Sequence, residues 1–147
     1  MNRFEFPVLL TTAGEGGFVV TCRDLPQLIT QGEDQGEDQA DALPQAVDAI
    51  DEVFATYMIE GIDFPEPSRL RRREQLVAPP AETLAKAALY VAMREAGISK
   101  TQLAKRLGVD EKEVRRLLDP RYGSKLPRIA QAISALGRRL VVSLDTV

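Results

Sequence analysis

Among its 147 residues the chain has no histidine, no tryptophan and one cysteine. The missing histidine excludes a Ser-His-Asp or Cys-His nucleophile system and removes the usual neutral-pH acid–base catalyst. It also removes the imidazole ligand of the common zinc sites. One cysteine closes no internal disulfide, so a secreted disulfide scaffold is excluded and a reducing compartment is expected. No run reaches the roughly 20 apolar residues of a membrane span. The opening MNRFEFPVLL lacks the basic n-region, apolar h-region and cleavage site of a signal peptide, so a soluble, cytoplasmic protein is expected. The length allows one ordinary domain or two small ones.

The net charge of −3 hides a division along the chain. Residues 1–66 hold two arginines against 14 acidic residues, a net of −12. Residues 67–147 hold 17 basic residues against eight acidic ones, a net of +9. A split of this size argues for two modules with different partners. A basic module attracts phosphate backbones and an acidic one repels them. Nucleic acid is therefore expected at the back half and a basic protein surface at the front. The plain alternative is that both charge sets are solvated faces.

The front half begins as β structure. Phe4–Leu10 reads as a strand, with Pro7 marking an edge or a bulge. Gly14-Glu15-Gly16-Gly17 is a turn, and Phe18–Cys22 reads as the returning strand of a hairpin. Asp24-Leu25-Pro26 ends it, and Leu28-Ile29-Thr30 adds a short third strand. QGED at 31–34 is repeated at 35–38, a polar duplication suited to an exposed loop and lacking EF-hand spacing. From Asp41 the period becomes helical, through Leu43, Ala46, Val47, Ile50, Val53, Phe54, Tyr57 and Met58. Asp41 is the expected N-cap, Pro44 falls in the first turn and Gly61 is the stop. Residues 62–68 leave as an extended exit. A metal-dependent nuclease would need carboxylates converging on an ion. Asp24, Glu33, Asp34, Asp48 and Asp51 supply the composition for that but no catalytic spacing, and no metal, cofactor or catalytic residue is assigned.

Residues 69–80 read as a linker, with Arg69-Leu70-Arg71-Arg72-Arg73 followed by Val77-Ala78-Pro79-Pro80. The arginines suit a phosphate-binding arm, a solvated run, or a partner for the chain's own acidic half. Pro80 opens a helix that Gly97 stops. Ser99 caps a short helix over 100–107, Gly108-Val109 makes the turn, and Asp110 caps a helix over 111–118 with Glu113 placed for a capping box. Ala104 is small where two helices would cross, and Gly108 tolerates positive φ. Leu103, Leu107, Val109, Val114 and Leu117 are the expected apolar anchors. This is helix-turn-helix spacing, although a tight helical hairpin shares part of it.

A helix-turn-helix places the N-terminal residues of its second helix near base edges. Lys112 and Arg115 or Arg116 are the expected readers, since Arg and Lys pair with guanine O6 and N7. Lys100 and Thr101 should approach the DNA backbone, and Arg121, Ser124 and Lys125 are further phosphate candidates. Glu111 reads cytosine N4 or faces water. A last helix over 126–136 ends at Gly137, and Arg138–Leu144 reads as a strand without a partner in its own module. Pairing with the same strand of a second copy would remove the exposed edge, so a homodimer or higher even oligomer on an inverted repeat is expected. The alternative is that this strand folds back onto the front sheet.

In combination and order these residues resemble HicB-type antitoxins of bacterial type II toxin–antitoxin systems. In the front half the resemblance rests on residues 17–21, 24–26, 30–33, Asp41-Ala42 and 62–68. In the back half it rests on 99–119 and 136–142. Removing one QGED copy restores the usual distance from Thr30 to Ala42. The resemblance implies an α+β chain: a partial RNase H-like domain of antiparallel strands plus one helix, without a working active site, then an all-α helix-turn-helix domain ending in a short β-strand. It implies that residues 1–68 bind a HicA-type toxin, a small mRNA-cleaving protein with a double-stranded-RNA-binding-like fold, and that residues 81–147 bind double-stranded operator DNA and repress the pair's own operon. Asp24, Glu33 and Asp34 are the toxin contacts expected from charge and exposure. The competing reading is a stand-alone helix-turn-helix regulator whose front domain senses a small ligand.

Overall fold

The computed structural model of the chain describes residues 3–12, 17–31 and 39–146. They divide into two compact units, Met1–Leu84 and Ala85–Val147. Among the described residues no helix is long and apolar enough to cross a membrane. Unit 1 holds six basic and 16 acidic residues, a net of −10, and unit 2 holds 13 and six, a net of +7. The charge division seen along the sequence is thus also a division between folded bodies.

Unit 1 is a four-stranded sheet with one long helix, α1 (Gln39–Glu60). The strands β1 (Phe6–Thr12), β2 (Phe18–Cys22), β3 (Ile29–Gln31) and β4 (Glu74–Val77) lie in the order β3-β2-β1-β4, and every pairing is antiparallel. Alternation decides which face is buried. Phe6, Val8 and Leu10 of β1 sit opposite Val77, Cys22 and Val20, and all six are buried. Ala46, Ile50, Val53, Phe54 and Tyr57 of α1 are buried as well. The aromatics are gathered at one point. Phe54 lies 4.6 Å from Phe64, 5.9 Å from Phe6 and 6.0 Å from Phe4, measured between ring centroids. Edge-to-face pairs at such distances add to what burial alone contributes.

Three details of unit 1 depart from the expectations. Pro7 sits in a central strand, not at an edge. It pairs in register with Leu76 of β4 but lies one residue outside the β1–β2 ladder, which starts at Val8, so its missing N–H interrupts nothing there. The helix begins two residues before Asp41, which therefore lies inside it rather than at its cap. The segment read as a linker contains β4. Arg71 C=O accepts from Glu74 N–H at 3.1 Å, and Arg73 takes φ 72° in that turn, so the arginine run is the bend that delivers β4 to β1.

Glu74 locks the bend. Arg23 reaches both of its oxygens, at 3.0 and 3.1 Å, and also donates to Arg69 C=O, while Arg71 N–H adds a bond of 2.8 Å. The Arg23 guanidinium holds the Glu74 carboxyl below its usual range. A carboxyl lowered by folding contributes stability above its unfolded value of roughly 4.3, and that contribution is lost as pH falls through the folded value. Melting curves of the parent and Glu74→Gln chains should therefore be separated near neutrality and converge only as pH falls through the lowered folded value, below the usual carboxylate range.

Unit 2 is all helix: the rest of α2 (Ala81–Ala96), then α3 (Lys100–Leu107), α4 (Glu111–Leu118) and α5 (Leu126–Ala135). Leu89, Leu103, Val114, Ile129 and Ala132 form its core. Arg138–Thr146 carry no strand, contrary to expectation. A strand is defined by its ladder, and among the described residues unit 2 has no strand and the front sheet consists of β1–β4, so the fold-back alternative is also not what is found.

Candidate functional site

The surface of unit 2 is organised around the α3–α4 pair. Ser99 caps α3 through a capping box, its hydroxyl accepting from Gln102 N–H at 3.1 Å while Gln102 Oε1 accepts from Ser99 N–H at 2.9 Å. Gly108 ends α3 at φ 66°, and the next N–H, of Val109, reaches back to Ala104 C=O at 3.0 Å. Asp110 then caps α4 by accepting from Lys112 N–H at 3.0 Å. The box expected at Asp110 and Glu113 is not formed there, because Glu113 N–H bonds to the Asp110 backbone carbonyl. A methyl group on Gly108 would meet no atom within 4 Å. Gly108→Ala should therefore cost about 1 kcal/mol from left-handed backbone strain alone. A denaturation midpoint checks the loss, and Gly108→Asn should recover part of it.

Val114 and Leu118, four residues apart, are the buried side of α4, so Leu118 takes the anchoring place expected of Leu117. Leu107, Val109 and Leu117 are only half-buried and line a groove of about 240 Å³, with Arg116, Lys125 and Arg128 among the other lining residues. Arg128 was not singled out from the sequence; its place in the first turn of α5 beside Lys125 was the available signal.

The expected DNA-contacting residues fall into four groups. Lys100, Lys112, Arg121 and Lys125 are exposed, and Lys112 makes no side-chain hydrogen bond or ion pair among the described residues. Thr101, Glu111 and Arg115 form a chain: Thr101 Oγ1 donates to one Glu111 oxygen at 3.1 Å and Arg115 to the other at 2.9 Å. Arg115, then Thr101, hold the Glu111 carboxyl below its usual range. Glu111 thus ties the start of α4 to the start of α3 and orients Arg115. Arg116 lies with its guanidinium 5.4 Å from the Tyr122 ring centroid.

Ser124 is different. It is half-buried, and its hydroxyl accepts from Lys86 Nζ at 3.0 Å. Lys86, only 2 % exposed, also donates to the backbone carbonyls of Arg116, Asp119 and Tyr122 at 2.5–2.9 Å. One ammonium therefore satisfies the end of α4 and the loop that leads to α5. Sequence reading passes over Lys86, since a lysine in a helix ordinarily faces water. Its only signal is its place among Ala85, Ala87, Leu89 and Tyr90 on an otherwise apolar stretch.

In unit 1, Asp24 is engaged within the fold: its two carboxylate oxygens accept from Ser68 N–H and Ser68 Oγ. Two of the segments that carried the resemblance, 24–26 and 62–68, are thereby bonded to each other. Glu33, Asp34 and the QGED repeat beyond Gln31, which ends β3, lie outside the described residues. Asp51 accepts from Thr83 Oγ1, while Asp48 and Glu52 on α1 are exposed, as are Ile59 and Glu60 at its end. Among the described residues no three His, Cys, Asp or Glu converge as metal ligands. Cys22 is buried, and burial pushes its thiol up, which leaves it a poor nucleophile.

Comparison with known proteins agrees with this division. A family described as HicB_like antitoxin of bacterial toxin-antitoxin system matches residues 5–88, all of the sheet and α1. The chain is 33 % identical over 136 residues to Antitoxin HicB of Escherichia coli, covering 92 % of the chain and 96 % of that protein. It is 29 % identical over 145 residues to Antitoxin HicB 1 of Photorhabdus laumondii, covering 99 % of the chain and 90 % of the relative. Antitoxin HicB of Pseudomonas fluorescens is 31 % identical over 131 residues, with 88 % and 87 % covered. A four-stranded antiparallel sheet under one long helix, set in an acidic unit and followed by a basic helical one, is therefore that of an antitoxin: the chain belongs to the HicB-like antitoxin family of bacterial toxin–antitoxin systems.

Proposed function

We propose that unit 1, read as a partial RNase H-like domain, neutralises a HicA-type mRNA-cleaving toxin by covering its RNA-binding face, and that unit 2 is a helix-turn-helix that represses the pair's operon as a homodimer, or higher even oligomer, on an inverted repeat. The observation that carries this reading is the division of charge between the two folded units, −10 against +7. A protein that grips RNA presents cations, and an acidic body meets them with favourable steering, while packing sets how long the complex lasts. A net-positive body with Lys112, Arg115 and Arg116 on a helix whose other side is buried meets phosphate and base edges instead.

Within that reading, Lys100, Lys125, Arg121 and Arg128 serve the backbone, and Lys112 and Arg115 or Arg116 are the base readers. Thr101 and Glu111 act by fixing Arg115, and Ser124 by holding its loop to Lys86. Arg115→Ala or Arg116→Ala should weaken the specific operator by about 1–3 kcal/mol if that residue reads a base. Titration of an operator duplex at fixed salt checks it; unchanged affinity in both variants would refute the groove assignment. The toxin arm is tested by mixing the purified chain with the neighbouring toxin, where failure to form any complex would refute it.

A further inference from the structure

Unit 2 has two aromatic side chains, and burial accounts for only one of them. Tyr90 is 6 % exposed, whereas Tyr122 stands 45 % exposed in the loop between α4 and α5. The backbone of Tyr122 is nonetheless held on both sides. Its N–H donates to Asp119 C=O at 3.1 Å, and its C=O accepts from Lys86 Nζ at 2.5 Å. The same ammonium reaches Arg116 C=O at 2.9 Å and lies 5.9 Å from the Tyr122 ring centroid. One buried cation thus ties the backbone beneath Arg116 to the backbone beneath the ring. The Arg116 guanidinium in turn rests 5.4 Å from the ring centroid, within the range where an aromatic face attracts a cation. Among the described residues the Tyr122 hydroxyl makes no hydrogen bond, so the ring is the part engaged.

The two neighbouring arginines of α4 differ in what they have left to give. Arg115 commits part of its fork to Glu111. Arg116 makes no side-chain hydrogen bond or ion pair among the described residues, so its N–H donors remain open. With the α-helical turn, Arg116 leaves the helix about 180° from the midpoint of the buried Val114 and Leu118, and Arg115 about 80° from it. A ring holds a guanidinium by its face and leaves the in-plane donors for a base edge. We propose that Tyr122 is a positioning residue for sequence reading: its ring holds Arg116 on the outward side of α4 as a preformed fork for guanine. A side chain already held loses less freedom on meeting the duplex than one that is free in solvent. The inference rests on unit 2 as an operator reader. It goes further in making that reading depend on a residue outside the helix-turn-helix, through a contact set by Lys86.

The test is a double-substitution cycle in the full chain, read by titrating two duplexes, one carrying the operon's own promoter and one with that sequence scrambled. Tyr122→Leu should weaken promoter binding about fivefold, the strength of one exposed cation–π contact, and leave the scrambled duplex unaffected. Tyr122→Phe keeps the aromatic face and should bind as the parent does. In an Arg116→Ala background Tyr122→Leu should change nothing further, since the group it acts through is gone. A nuclear magnetic resonance spectrum of the free chain reads the contact without DNA: the Arg116 side-chain protons should carry an upfield ring-current shift that Tyr122→Phe keeps and Tyr122→Leu removes. Parent-like promoter binding by Tyr122→Leu, an equal loss on both duplexes, a loss that persists in full without Arg116, or no ring-current shift in the parent would each overturn the role of Tyr122 and leave unit 2 a promoter binder. A parent chain that does not distinguish the two duplexes would overturn the operator reading itself, and the role with it.

Discussion

Lys86→Met should destabilise unit 2 by about 3 kcal/mol while leaving its packing volume nearly unchanged. The methionine keeps the buried stem but removes every donor. Three backbone carbonyls and the Ser124 hydroxyl then lose a charged partner, two of those carbonyls closing the end of α4. Leaving buried acceptors unsatisfied costs more than the net worth of the bonds that held them. Ser124→Ala removes one of four acceptors that share three N–H donors, leaves every donor a carbonyl partner, and should cost less than about 1 kcal/mol. Hydrogen exchange, read unit by unit, should show the loss across α3, α4 and α5 and leave the β1–β2 ladder protected. Equal loss in both units, or none, would show that Lys86 does not hold this end of the molecule.

Phe54→Ala should cost about 4 kcal/mol and strike the other unit. Phe54 is fully buried and its ring meets Phe4, Phe6 and Phe64, so truncation removes burial, three ring contacts and the support of the sheet at one point. The expected outcome is loss of protection in β1, β2 and α1 with unit 2 intact. The two substitutions together form a cross-test. Under the proposed function, Phe54→Ala should abolish toxin neutralisation first and Lys86→Met should abolish operator binding first.

The helices of unit 2 were legible because their ends are chemical signals. Ser99, Asp110, Gly97, Gly108 and Gly137 are local features, and each stands where a helix starts or stops. The buried side of α1 was legible from its period, although its start was not, since Gln39 and Ala40 carry no stop signal and the helix simply continues past Asp41. What escaped was non-local. Glu74–Val77 has no strand pattern of its own, and it is a strand because β1 offers an open edge and Arg23 grips Glu74 across 51 residues of chain. Lys86 and Ser68 look like solvent residues until the fold brings them against the carbonyls near the end of α4 and against Asp24. The Arg138–Leu144 segment shows the converse: its composition suits a strand, but a ladder needs a second strand, and none pairs with it among the described residues.

The division of labour can be tested most directly by cleavage of RNA by the purified partner toxin as the intact chain is titrated in. The account predicts that cleavage stops near equimolar chain and that Lys86→Met protects the RNA as well as the parent does. Cleavage continuing with the parent chain in excess would contradict it.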